Sequence, residues 1–172
     1  MSGGLRTVAE LMCVAARTAP KSLGKDFVVT EFIEGEACQK LAEAMVHFGE
    51  RKGKPNVTLH ASNVRNSPIV VLIGIKNAEP AGQDCSACGA EKCITPNTFE
   101  GEYRGPQCAH RLLDMGIAIG SAVKTAGMLN VDNRVMYTVG VVAREIGLID
   151  ADFCMGIPLS ATSKSIYFDR RN

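Results

Sequence analysis

With 172 residues, 46% of them apolar and 22% charged, the chain has the size of one domain with a sizeable core and little room for a second. Nineteen basic residues against eighteen acidic leave a net charge of +1 with no sustained basic run, so nucleic acid is not an expected partner. No apolar run reaches the ~18 residues of a membrane span, so none is expected to cross a bilayer. Residues Met1 to Arg6 hold no apolar secretory core, so export is not expected. Seven cysteines, an odd number, suit a reducing compartment better than an oxidising one; the cytoplasm is the expected location.

Leu5, Val8, Leu11, Met12 and Ala15 form one stripe at helical spacing, and Pro20 ends that helix. The β-branched and aromatic run 26–33 predicts a strand. A helix over about 36–51 turns Leu41, Met45 and Phe48 inward and stops at Lys52-Gly-Lys-Pro55. The short apolar run from Pro68 to Ile75 reads as a strand buried on both faces. Residues 76–106 then carry four glycines, three prolines and few bulky apolar groups. A loop this long is uncommon without a function, and a force other than a hydrophobic core is expected to order it.

Regular structure resumes with a helix over about 107–129. Its apolar residues, from Leu112 and Leu113 to Ile117 and Met128, surround it almost completely, so it is expected to be central and buried. Gly116, Gly120 and Gly127 weaken it by ~1 kcal/mol each, which suggests a close neighbour such as a backbone or a flat ligand. A strand at 135–139, a short helix at 140–147 and a last strand at 151–157 before Pro158 complete the expected elements. The tail through Asp169-Arg-Arg171 reads as an extended arm.

The chemistry is concentrated in the loop. Cys85, Cys88 and Cys93 are spaced C-x2-C-x4-C, and Cys108 follows after fourteen more residues. A C-x2-C unit lets two thiolates converge on one centre, while Ser86, Ala87, Gly89 and Ala90 leave the backbone free to donate N–H groups to sulfur. Metal ligation would also order the loop. An iron–sulfur cluster is favoured over zinc, whose sites usually pair two knuckles where here Cys108 stands alone; an unmetallated loop is the third reading. Cys13, Cys38 and Cys154 read as buried structural thiols, and His110 as a solvent-facing residue beside the fourth cysteine.

The cysteine spacing resembles the four-iron–four-sulfur (4Fe-4S) domain of corrinoid iron–sulfur proteins and of a membrane electron-transport subunit, C-G-x-C-G-x3-C with a remote fourth cysteine. It departs from that pattern at Ser86, where the pattern prefers glycine, and in a shorter last gap. The rest of the chain resembles the flavin-dependent nitroreductases. Ala15-Ala-Arg-Thr-Ala-Pro20 with Lys21 and Ser22 is similar to their first flavin-contacting loop. The segment Asp114–Ala126 is similar to their central helix, and Met155-Gly-Ile-Pro158 to their final strand. Together the two resemblances point to the bacterial and archaeal family of proteins containing a ferredoxin domain, of which Gly156–Ser160 and Tyr167-Phe-Asp-Arg170 are typical.

These resemblances imply a single α/β (α+β) sandwich over 1–172 of the nitroreductase type, with 80–108 as an inserted ferredoxin-like cysteine loop. They imply Cys85, Cys88, Cys93 and Cys108 as cluster ligands and flavin mononucleotide (FMN) as a second cofactor. The arginine pair that clamps the flavin phosphate in nitroreductases has no counterpart here, and Leu23–Asp26 replaces the polar residues of their first loop. Arg17, Lys21, Ser22 and Lys164 are the remaining candidates for the phosphate. The expected function is electron transfer, as an oxidoreductase if an enzyme, to a partner protein or a small-molecule acceptor; the alternative is a non-enzymatic structural or sensing metal site. The family likeness also implies an intertwined homodimer. No catalytic acid or base stands out, Tyr137 and Lys164 being only the polar residues nearest the imagined flavin pocket.

Overall fold

The computed structural model describes residues 2–168; the tail expected to run as an extended arm from Ser160 is instead bends and turns as far as Phe168, with Tyr167 buried, and its end at Asp169-Arg-Arg171 lies outside the described residues. Helix α1 (Ser2–Thr18) buries Leu5, Val8, Ala9, Met12 and Ala16 along one stripe, and the chain turns at Ala19 and Pro20 through a short 3-10 turn, Ser22–Gly24. Strand β1 (Val28–Glu34) leads through Gly35 into α2 (Glu36–Lys52), which closes on Gly53 in the left-handed conformation. A helix that no sequence expectation covers follows, α3 (Asn56–Arg65). Its buried Val57, Ala61 and Val64 are correctly spaced, but they are few among polar neighbours.

The central strand β2 (Ile69–Ile75) is buried throughout and pairs antiparallel with β1 on one side and β6 (Phe153–Ser160) on the other. With β5 (Asp132–Asn133) beside β6, the sheet order is β1-β2-β6-β5. The two-residue period of a strand then divides the core. Ile69, Val71, Ile73 and Ile75 pack with α1 and with α4 (Ala109–Met128). Val70 and Leu72 pack with α2, α3 and α5 (Tyr137–Glu145). The result is a sheet between two helical layers. Among the described residues, no helix is long and apolar enough to cross a membrane.

Three further expectations change. The strand at 135–139 is mostly helix: only Met136 bridges to Gly156, and α5 starts at Tyr137. Its β-branched residues favour a strand, but packing decides otherwise. Gly140 lies against the Cys154 carbonyl and Gly156 against Val139, so a Cβ at either would hold α5 off β6. The last strand runs through Pro158 instead of stopping there. Gly156 N–H reaches Met136 O (3.1 Å), so the Pro158 nitrogen, two residues on, faces the gap between that bridge and β5, where no N–H is needed. Finally, α4 is not buried all round. Leu113, Ile117 and Met128 are 63%, 47% and 73% exposed, and nothing approaches Gly116, Gly120 or Gly127 within 4 Å.

Candidate metal centre and its supports

The segment between β2 and α4 holds the cysteines and a small hairpin, β3 (Phe99–Glu100) and β4 (Arg104–Gly105). Cys85, Cys88, Cys93 and Cys108 all line one cavity, with Pro80, Ala81, Ile94 and Ala109 among its other walls. Its free interior is small, about 10 Å³, and its lining is apolar. Cys108 is buried at the start of α4; the other three are exposed. Among the described residues, no three His, Cys, Asp or Glu side chains stand close enough together to grip a single metal ion. His110 is half-buried in the first turn of α4.

The tip of the loop is folded by its own backbone. Gly82, Asp84, Ser86 and Gly89 all have positive φ, which curls the chain back repeatedly. Ser86, at φ 56°, sits where the related pattern has glycine, and the left-handed region costs a residue with a Cβ about 1 kcal/mol. Asp84 closes the tip. Its carboxylate accepts the Cys93 N–H (2.8 Å) and pairs with Lys92 (3.0 Å), while its own N–H donates to Cys93 Sγ (3.4 Å). The Cys93 N–H, then Lys92, hold the Asp84 carboxyl below its ordinary value. An N–H directed at a cysteine sulfur supports a thiolate. Four thiols along one apolar wall are the donor set an iron–sulfur centre takes, but as placed no three of them stand close enough to share one metal.

The base of the loop is anchored by groups that sequence reasoning missed. Asp152 is 1% exposed and receives the Asn77 backbone N–H (2.6 Å), Asn97 Nδ2 (2.9 Å) and Arg104 Nη1 (3.4 Å). One buried carboxylate thereby joins the outgoing and returning arms. Gln107 adds a bond to Asn97 Oδ1 (2.6 Å), and the Tyr103 hydroxyl donates to the Cys154 carbonyl while its ring stacks on Phe153 at 4.0 Å. Burial, then the neighbouring Cys154 and Tyr137, push the Tyr103 phenol far above its ordinary value. Tyr137 packs edge-on against Tyr103, and burial followed by Glu102 raises its phenol too.

A second buried support lies under Cys108. Arg111 and Asp114 are 1% and 3% exposed and pair at 3.0 Å. Arg111 Nε donates to Glu79 O (2.8 Å) and Nη1 also to Ser22 O (3.0 Å), while the Phe27 ring lies 4.8 Å from the guanidinium. Asp114 accepts both the backbone N–H and the hydroxyl of Ser22, each at 2.7 Å. Arg111 Nη2 is buried with no acceptor, which costs roughly 1–3 kcal/mol or more for a charged group. A sequence signal existed: a charged i, i+3 pair in the first turns of an otherwise apolar helix.

The candidate phosphate contacts are used differently. Arg17 Nη1 bonds Asp26 (2.8 Å) and Val28 O (2.9 Å). Lys21, its side chain 5% exposed, caps the end of α1 through Ala16 O (2.8 Å) and Arg17 O (2.5 Å) and lies 3.8 Å from Asp26. Partial burial works to raise Asp26, but the Arg17 bond, the Val28 N–H and Lys21 outweigh it and lower its pKa. Ser22 is bound to Asp114, and Lys164 is exposed in the segment after β6. As placed, these residues fit a flavin phosphate poorly, because Arg17, Lys21 and Ser22 spend their polar groups on Asp26, Asp114 and backbone carbonyls. Cys38 and Cys154 are buried, their thiols pushed up by burial to about 11 and about 12, whereas Cys13 is only partly buried.

A larger cleft of about 740 Å³ opens between the hairpin and the ends of α2 and α5. Its charges are paired across it: Arg51 holds Glu145 at 2.7 and 2.8 Å, and Glu100 holds both Arg104 (2.9 Å) and Arg144.

A family model described as "uncharacterized protein containing a ferredoxin domain" matches residues 104–170, which include Cys108 but not the three cysteines of the tip. An uncharacterized protein of Archaeoglobus fulgidus is 44% identical over 170 residues, 97% of this chain and 92% of that one. Among solved structures, the FMN-dependent nitroreductase NfnB of Mycobacterium smegmatis, in complex with NADPH, aligns with a TM-score of 0.61 at 15% identity, over 96% of this chain and 82% of its own. A nitroreductase with bound FMN from Desulfitobacterium hafniense aligns with a TM-score of 0.58 at 10% identity, over 92% and 78%. At such identities the likeness establishes the nitroreductase fold.

Proposed function

The chain belongs to the family of proteins containing a ferredoxin domain, and we propose that within it this chain is an iron–sulfur electron-transfer protein with Cys85, Cys88, Cys93 and Cys108 as ligands. Family and fold both point to redox function; the observation that carries the finer reading is that Cys108, at the start of α4, lines the same apolar cavity as the three cysteines of the tip. The resemblance of the motif to known 4Fe-4S domains implies a 4Fe-4S centre, which when bound would supply one-electron transfer. The chain's own part is to supply four thiolates, hold Cys108 in the interior and keep the tip near the surface, where a redox partner protein or small acceptor can approach. Residues 80–108 act in this reading as an insert in one nitroreductase-like body. FMN is suggested by the fold, but no step is assigned to it, because Arg17, Lys21 and Ser22 are occupied within the chain.

Anaerobic reconstitution with iron and sulfide tests the proposal. A brown protein with about four irons per chain, bleached reversibly by dithionite, is the expected product. A colourless protein that takes up one zinc per chain would replace electron transfer by a structural or sensing metal site. A yellow one carrying FMN would reopen the flavin site.

The exposed face of α4 supports a homodimer. Leu113, Gly116, Ile117 and Gly120 follow one another at helical spacing, the two large side chains 63% and 47% exposed and the glycines open, and a second copy of the same face would cover them isologously. Sedimentation at micromolar concentration should give a dimer; a stable monomer there would end this reading.

A further inference from the structure

The cleft between the hairpin and the ends of α2 and α5 shares no lining residue with the cysteine cavity and has no part in electron transfer as proposed above. At about 740 Å³ it has the size of a small-molecule site. Part of its wall is apolar, Phe48, Ile149 and Ala151 each being at most 5% exposed. Its charges do not balance. Glu102 and Asp150 are answered by Lys54 and Lys76 from outside the lining, and Asp152 stands behind Arg104 at 3.4 Å. Arg51, Lys52 and Arg144 are left with Glu100 and Glu145, an excess of one cation.

Glu100 occupies the most basic part of the cleft. One of its carboxylate oxygens accepts from Arg104 Nε (2.9 Å) and the other from Arg144 Nη2, so a single carboxylate spans two guanidiniums. Both arginines are fixed by other contacts. The Arg144 side chain is 14% exposed and its Nε donates to Ala151 O (2.8 Å), while Arg104 reaches the buried Asp152. The Glu100 side chain is 58% exposed on a strand of two residues, so its ion pairs contribute little and exchange readily. Two guanidiniums are thus set for a carboxylate, and the one that fills them is on a short surface hairpin.

We infer that the cleft is a binding site for a small organic carboxylate, whose acid group takes the place of the Glu100 side chain on Arg104 and Arg144 while an apolar body lies against Phe48 and Ile149. The inference goes beyond the iron–sulfur reading and does not depend on it.

Benzoate is the probe and benzamide its uncharged control, each titrated into the isotope-labelled full chain at low ionic strength, with amide shifts read by nuclear magnetic resonance. Benzoate should shift the amides of Gly101, Arg104, Arg144 and Ala151, and benzamide should leave them in place. E100Q removes the competing charge and keeps the shape of the side chain, so it should bind benzoate roughly tenfold more tightly, the worth of one charge-assisted bond. R144M should lose benzoate binding. If Glu100 only fastens the hairpin to α5, E100Q binds benzoate no more tightly than wild type, and that result overturns the inference. Should R144M fail to fold, E100Q decides alone. Inorganic phosphate, titrated in the same way, checks the head group; phosphate held by E100Q more tightly than benzoate would overturn the carboxylate. No metal enters the test, so its failure leaves the iron–sulfur reading standing, and a chain that takes up no cluster leaves this one standing.

Discussion

The two ends of the cysteine loop are held in opposite ways. At its base the anchors are buried and belong to the sandwich: Asp152 before β6, Arg111 in α4, and the Cys154 carbonyl that receives Tyr103. At its tip the anchors are exposed and belong to the loop itself, with Asp84 closing on Lys92 and Cys93 across water-accessible ground. A buried charge network is rigid because breaking it strands a partner in the interior, whereas an exposed pair contributes little. The sandwich therefore closes the long loop at its base, and on the reading proposed above only the ten or so residues of the tip are left for a metal to organise. The base needs no metal to form.

Removing Asp152 should give the largest effect. In Asp152→Ala the Asn77 N–H and Asn97 amide lose a buried acceptor, and we expect a loss of about 3 kcal/mol in the apo-protein, read as a lower guanidinium midpoint at unchanged slope. A loss below about 0.5 kcal/mol, typical of surface sites, would mean that water replaces the clamp and that base and tip do not differ.

Tyr103→Phe keeps the stacking on Phe153 but loses the hydroxyl, for about 1 kcal/mol near neutral pH. Its signature should lie in alkali. The folded phenol is raised above its ordinary 10.0, so the unfolded chain loses this proton first. The native form then binds more protons, and the phenol's stabilising contribution, complete below pH 10, is lost as pH rises. Wild type should lose up to ~1.4 kcal/mol per pH unit more steeply than the variant there. Parallel curves would show that Tyr103 is not buried as described.

How much of this was legible in the sequence depends on which force decides each feature. The unbroken apolar run of Ile69–Ile75 and the helical stripe through Leu5, Val8 and Met12 are local patterns, and both elements form where that pattern lies, although Leu11 of the expected stripe faces outward. The four cysteines stood out for the same reason, their spacing being that of ligand chemistry, and the structure sets all four along one cavity. Asp152 was not, because nothing near it in sequence says that Asn77, Asn97 and Arg104 will arrive from 75, 55 and 48 residues away. The short helix expected over 140–147 is there, but its first turn, Tyr137–Val139, was hidden behind β-branched residues, and only the close approach of Gly140 to Cys154 reveals why the helix begins so early. The phosphate candidates failed differently. Arg17, Lys21 and Ser22 carry suitable chemistry, but Asp26 and Asp114 answer it from within the chain.

The smallest expected effect falls at the tip, and its smallness is the point. Cys88→Ser changes an exposed residue that makes no buried contact and follows the main anchors of its arm. The apo-protein should keep its stability to within about 0.5 kcal/mol, the usual range for surface substitutions. Reconstitution should nevertheless fail to give a stable reversible chromophore, since one of four thiolates is gone. Trypsin supplies the local readout. Lys92 is exposed beside Cys93, so apo wild type and Cys88→Ser should be cut there at similar rates, while iron and sulfide should protect wild type alone. Cleavage follows the population of the open tip when opening is fast. If Cys88→Ser instead unfolded the apo-protein or lowered its melting point as far as Asp152→Ala does, the tip would be part of the structural core. If added iron and sulfide left Lys92 equally exposed in wild type, the cysteines would not be closing on a metal.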